Sequence, residues 1–176
     1  LLASAKEIQV KLRELASSSN TSTSSGLQRI LQETTLALLR KSELWVYSNI
    51  ETGSVPFASA ESTFNRISIT ERSKLKAELT SNYSGQISTS TNNELNPGDP
   101  DSTNEYIAIT ILVATKKDLR LNNSPTNEFI TEALRLIGSI SSKDLIALEV
   151  IWQPDGEGET LREEELIIQY PNLKHL

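Results

Sequence analysis

Tyr106-Ile107-Ala108-Ile109-Thr110-Ile111-Leu112-Val113-Ala114-Thr115 is a run of apolar and β-branched side chains without a single charge. Branched side chains pack well on a pleated surface and crowd a helix, so the run reads as a strand covered on both faces. Leu145-Ile146-Ala147-Leu148-Glu149-Val150-Ile151-Trp152 has the same character with one carboxylate in it. Both are read as buried central strands. Between them, Ser124-Pro125 supplies an N-cap and first helical position, Ile130, Ala133, Leu134 and Ile137 the buried face of a helix, and Gly138 its stop. Strand, helix and strand in succession predict a parallel pair joined by a right-handed crossover.

Working outward, Thr160-Leu161-Arg162-Glu163 fits a capping box opening a last helix, with Leu166, Ile167 and Tyr170 inside and Pro171 as its end. On the other side, Tyr83 to Thr91 alternates weakly and suits an exposed strand. Residues 92–104 hold Pro97-Gly98 and Asp99-Pro100 and predict a long mobile hairpin loop. Residues 82–176 therefore read as a small ββαβα sheet part. Residues 1–80 read as about four helices. The first carries Leu1, Ala5, Ile8, Leu12 and Leu15 on one stripe, and a Ser/Thr/Asn linker over 17–26 separates it from the second. The second carries Leu27, Ile30, Leu31, Thr34, Ala37 and Leu38, with Leu36 and Leu39 widening its apolar surface. A third is marked by Ala60, Phe64 and Ile67, and a fourth is opened by the capping box Ser68-Ile69-Thr70-Glu71, with Leu75 and Leu79 inside. The fold class is α+β, in one domain over 1–176.

Composition excludes several functions. The 176 residues include no cysteine, so there is no disulfide, thiol nucleophile or Cys-based zinc site. A net charge of -6 repels phosphate backbones, which sets nucleic acid aside as a partner. No methionine occurs, which predicts that the chain starts inside a longer polypeptide, and no window is long and apolar enough to span a bilayer.

The one histidine, His175, sits two residues from the end, where a frayed, solvated tail is expected; a histidine base, a Ser-His-Asp triad and a histidine metal site have no other source. No glycine-rich phosphate loop occurs, and no cofactor is implied. Asp155, Glu157 and Glu159 alternate on a loop and are candidate calcium ligands, although Thr160 and Leu166 stand where such a loop needs Gly and Glu. Glu163, Glu164 and Glu165 suit the first turn of a helix through its dipole, with an acidic docking face as the alternative. Glu149 either lies on a solvent-facing edge or is held by a basic partner in a functional pocket. Trp45, Tyr47, Tyr106, Trp152 and Tyr170 read first as core. Leu36, Leu39, Trp45 and Tyr47 are the candidates for binding a partner.

Taken in order, Leu1-Leu2-Ala3-Ser4-Ala5, Leu27 to Arg40 with Trp45 behind it, Glu71-Arg72-Ser73-Lys74, Tyr106 to Thr115, Leu145 to Trp152 and Tyr170-Pro171-Asn172-Leu173 resemble a known family. It is the uncharacterised cyanobacterial and chloroplast domain family that includes the plant fluctuating-light acclimation protein. The second helix through Trp45 carries the most specific part of the resemblance, and residues 82–103 match nothing in it.

The resemblance implies a location at the thylakoid or another cyanobacterial or chloroplast membrane, attached through a segment absent from this chain and facing a side that is not assigned. It also implies a membrane-protein partner and a role in photoprotection or proton balance under changing light. It carries no catalytic residue. The leading reading is a non-enzymatic regulatory or interaction module; the alternatives are a carboxylate- or metal-dependent enzyme, expected to have a deep acidic pocket around Glu149, and a small-ligand or proton sensor.

Overall fold

In the computed structural model, residues 1–81, 104–119, 121, 124–156 and 158–176 are described, with backbone alone over 75–81. The expected strand at 83–91 and nearly all of the expected loop at 92–104 lie outside the described residues.

The two apolar runs do pair, but antiparallel. β3 (Ala108–Thr115) and β4 (Leu145–Gln153) place Ile109 opposite Trp152, Ile111 opposite Val150 and Val113 opposite Leu148. Helix α4 (Asn127–Gly138) explains the direction. Its Ile130 packs in the same cluster as Ile107 and Ile109, and its Ile137 also joins the cluster that holds Val113. The helix thus runs alongside β3 in the same sense, and the preceding loop has already carried the chain back. Two traverses between strands give an antiparallel pair, whereas a parallel crossover needs one. The Lys116 N–H closes the end by donating to the Asp144 carbonyl at 2.9 Å.

Among the described residues this sheet has two strands and no central one, and β3 is half-buried throughout rather than fully covered. Its inner face meets α2 (Ser24–Leu39) and α4, while α3 (Phe57–Ser81) lies over the outer face, where Thr110 opposes Ile151 and Leu112 opposes Glu149.

The first core cluster draws Ile8 and Leu12 from α1 (Lys6–Ser18), Leu38 from α2, Leu134 from α4 and Ile107. A second gathers Leu31, Ile140 and Leu145. The α2 stripe is as expected, with Leu31, Thr34 and Leu38 buried, and Thr35 added. Thr23 caps it by accepting the Gly26 N–H, and α1 and α2 take up half of the 17–26 stretch and leave 19–23 as linker.

Several boundaries differ from expectation. Residues Ala3–Ala5 form a 3-10 turn ahead of α1, and Leu2 bridges to Tyr106. The Ser68-Ile69-Thr70-Glu71 signature opens nothing: it lies inside α3, where the Thr70 hydroxyl donates back to the Arg66 carbonyl at 2.9 Å, so the two expected helices are one and Ile67 is exposed. Thr126, not Ser124, caps α4. Glu163, not Thr160, begins α5 (Glu163–Gln169). The Arg162 N–H donates to the Glu165 carboxylate there, and Leu161–Arg162 is instead a short strand, β5, paired with β2 (Glu105–Tyr106). Ile167 in α5 is exposed, not inside.

Gly138 ends α4 where the helix crosses α2. A Cβ built there would stand 2.6 Å from Thr35 Oγ1 and 3.3 Å from Thr35 Cβ. The threonine cannot easily turn away, because its hydroxyl donates to the Leu31 carbonyl at 2.9 Å and shares the Gln32 carbonyl at 3.0 Å.

Two stability predictions follow from this packing. Leu38→Ala should lose about 2–5 kcal/mol through transfer and cavity terms, measured by chemical denaturation; a loss well under 1 kcal/mol would contradict its place in the first cluster. Gly138→Ala should destabilise, because a steric cost of about 1–3 kcal/mol exceeds the gain of about 1 kcal/mol or less from helix propensity at a helix end. Adding Thr35→Ala should recover part of that loss, and strictly additive effects would argue against the contact.

Candidate functional site

The third cluster holds the densest group of polar and aromatic side chains among the described residues. Tyr106, Leu161 and Leu166 form its buried base, and Tyr47, Tyr170 and Val46 pack around it. Tyr47 arrives on β1 (Tyr47–Ser48), which pairs antiparallel with β6 (Lys174–His175) at the far end of the sequence. Its ring meets that of Tyr106 edge-on at 5.6 Å and that of His175 edge-on at 5.2 Å. Its hydroxyl donates to the Glu163 carboxylate in the first turn of α5. That hydrogen bond, helped by desolvation and by the Glu163 charge, pushes the Tyr47 pKa up to about 12. Burial first, and then the Glu163 charge, raise that of Tyr106. His175 is exposed, yet it belongs to a strand rather than a frayed tail, with the Leu176 N–H donating to the Val46 carbonyl at 2.9 Å.

The other acidic groups are turned to structural work. Glu149 is 12% exposed and ion-paired with Arg72 of α3, whose own side chain is 64% exposed; it has the basic partner that the sequence reading allowed for. Glu165 accepts the Arg162 N–H; it and Glu164 are the exposed members of the triplet. In the 154–159 loop, Glu159 accepts the Gly156 N–H at 3.1 Å, and a side chain at 156 would collide with that carboxylate. Gly158 holds a positive φ of 76° there. Gln9, buried in α1, anchors the loop by donating to the carbonyls of Pro154 at 3.1 Å and Glu159 at 3.2 Å, and Arg13 donates to the Asp155 carbonyl. Glu157 lies outside the described residues. Among the described residues no cluster of three metal-ligating side chains forms.

An open depression of about 620 Å³ lies between Glu43 and the outer side of α4, lined by Glu128, Thr131, Glu132 and Arg135. Its Glu128 is held below the usual carboxylate range by its own backbone N–H and by the Thr126 hydroxyl. A carboxylate kept ionised in this way is poorly suited to act as a general acid.

The partner-binding candidates are divided. Leu36 is 46% exposed, Leu39 and Trp45 pack half-buried on the first cluster, and Tyr47 belongs to the third. Reading the sequence missed the Tyr47–Glu163 contact, which joins residues 116 apart through strands too short to show any alternation. Gln9 had a faint signal, since it flanks the Ala5, Ile8 and Leu12 stripe.

The family described as "Protein of unknown function (DUF1517)" matches residues 1–176. The Protein FLAP1 homolog A of Synechocystis sp. is 40% identical over 179 residues, covering 99% of this chain and 54% of that protein. The FLUCTUATING-LIGHT-ACCLIMATION protein 1, chloroplastic, of Arabidopsis thaliana is 35% identical over 178 residues, covering 100% of this chain and 44% of its own. The chain thus spans about half the length of these curated relatives. No solved structure matches.

Titration of tyrosinate absorbance checks the third cluster. Of the four tyrosines, Tyr47 should ionise near pH 12, and Tyr47→Phe should remove that late phase. Because its folded pKa lies above the unfolded value, the stability it contributes is complete below about pH 10 and is lost as pH rises from there towards about 12. If the phenol lost on Tyr47→Phe instead titrates near the ordinary tyrosine value of about 10, the Glu163 contact does not hold it neutral.

Proposed function

The chain belongs to the DUF1517 family, and from that membership we propose that it is a non-enzymatic interaction module serving acclimation to fluctuating light. It works at a photosynthetic membrane through a membrane-protein partner. No described helix is long and apolar enough to cross a membrane, so attachment, in this reading, falls to a part of the protein outside these residues.

The observation that carries the non-enzymatic reading is the fate of the carboxylates. Glu149, Glu159, Glu163 and Glu165, four of the acidic groups singled out in the sequence, each face a structural partner: Arg72, the Gly156 N–H, the Tyr47 hydroxyl and the Arg162 N–H. Convergent acid–base work needs such groups aimed at a shared space instead. The names of both relatives support the light-acclimation role, and the chloroplastic location in the name of one supports a photosynthetic setting.

Leu36, half-exposed on the helix that anchors the core, is the side chain best placed to meet a partner without disturbing the fold. Co-sedimentation of the purified chain with isolated photosynthetic membranes tests this. The native chain should be retained, and Leu36→Glu, shown folded by circular dichroism, should bind about tenfold more weakly, as for a modest hot spot. Equal retention of the two would remove α2 as the contact surface, and no retention of either would remove the membrane partner.

A further inference from the structure

Helix α3 differs from the other long helices in what holds it. Each of α1 and α2 buries four side chains, whereas over 57–74 no α3 side chain is buried and Phe57, Ile67 and Ile69 are exposed. Its composition does not compensate. Ser59, Ser62, Thr63, Ser68, Ile69, Thr70 and Ser73 are poor to middling helix formers, so α3 needs tertiary contact to persist.

Among the described residues, the polar ties from 57–74 to the rest of the chain fall in one turn. They are the Arg72–Glu149 ion pair and Lys74 Nζ, 4.7 Å above the ring of Tyr170, with Lys74 itself steadied by Glu71 at 2.6 Å. On the N-terminal side, residues 51–58 are exposed throughout, Gly53 has open space around it, and the tie of this connection to the C-terminal segment is Asn172 donating to the Glu51 carboxylate at 3.3 Å.

Beneath α3 lies the outer face of the β3–β4 pair, where Ile151 is buried and Glu149 is the one charge in a strip shared with Thr110, Leu112, Ala114 and Ala147. A nearly buried carboxylate costs free energy unless a cation faces it, so Arg72 offsets that cost while α3 covers Glu149. We propose that residues 57–74 of α3 form a releasable strap, latched by Arg72 on Glu149, that opens and uncovers this strip while α1, α2, α4 and the hairpin stay folded. Sub-global opening of this kind is drawn from the elements with the fewest buried contacts.

Native-state hydrogen exchange on the whole chain reads it directly. Amides of 60–72 should exchange about tenfold or more faster than those of 30–38 in α2, as for a sub-global opening. Arg72→Ala and Glu149→Gln should each raise the α3 rate by about two- to fivefold and leave α2 unchanged, and the double variant should add nothing further. Equal protection of α3 and α2, or variants that speed both alike, would show that α3 opens only by global unfolding and overturn the proposal. Fast α3 exchange that neither variant alters would overturn the latch.

Discussion

Everything in this fold leans on α2 lying across the inner face of the β3–β4 hairpin. Leu38 at one end of the helix sits in the cluster that includes Ile8 and Leu12 of α1, and Leu31, nearer the other end, in the cluster that closes on Ile140 and Leu145. Thr35 between them sets how closely α4 can approach at Gly138. A helix at the centre of three neighbours must be apolar around more than the usual stripe, and that is the origin of the broad apolar surface over 27–39. Leu36 is what remains when those neighbours have been served.

Long elements with a clear period were legible. The α1 and α2 stripes, the two strand runs and the buried face of α4 all stand out because many side chains report the same partner. Direction and small elements were not. A run such as Tyr106 to Thr115 says that both faces are near something, but the sense of pairing was decided by the extra traverse ahead of α4, which no residue pattern marks. The two-residue strands β1, β2, β5 and β6 leave no alternation to read, so the third cluster, with Tyr47, Tyr106, Glu163 and His175, is visible only once the chain ends are brought together. The capping signature at Ser68 to Glu71 misled for a different reason: inside a helix the same hydroxyl bonds the preceding turn.

The acidic residues show why composition was a poor guide to activity. Loops and helix starts with alternating carboxylates resemble ligand sites, yet here they satisfy backbone N–H groups and a tyrosine hydroxyl. Those uses close the 154–159 loop on itself and hold α5 against β1, which makes the charges part of the scaffold. A surface built this way fits a domain that is recognised by another protein better than one that transforms a substrate.

The central claim is that the helical half and the sheet half share one core and therefore fold as one unit. The chain holds two tryptophans, and both pack on the first cluster, Trp45 from the helical side and Trp152 from β4. Denaturation followed by fluorescence in Trp45→Phe and in Trp152→Phe isolates each reporter in turn. The account predicts that, in each variant, the remaining tryptophan and the far-ultraviolet circular dichroism signal lose structure in a single coincident transition. Separate transitions for the two reporters would contradict it and divide the chain into two independent parts.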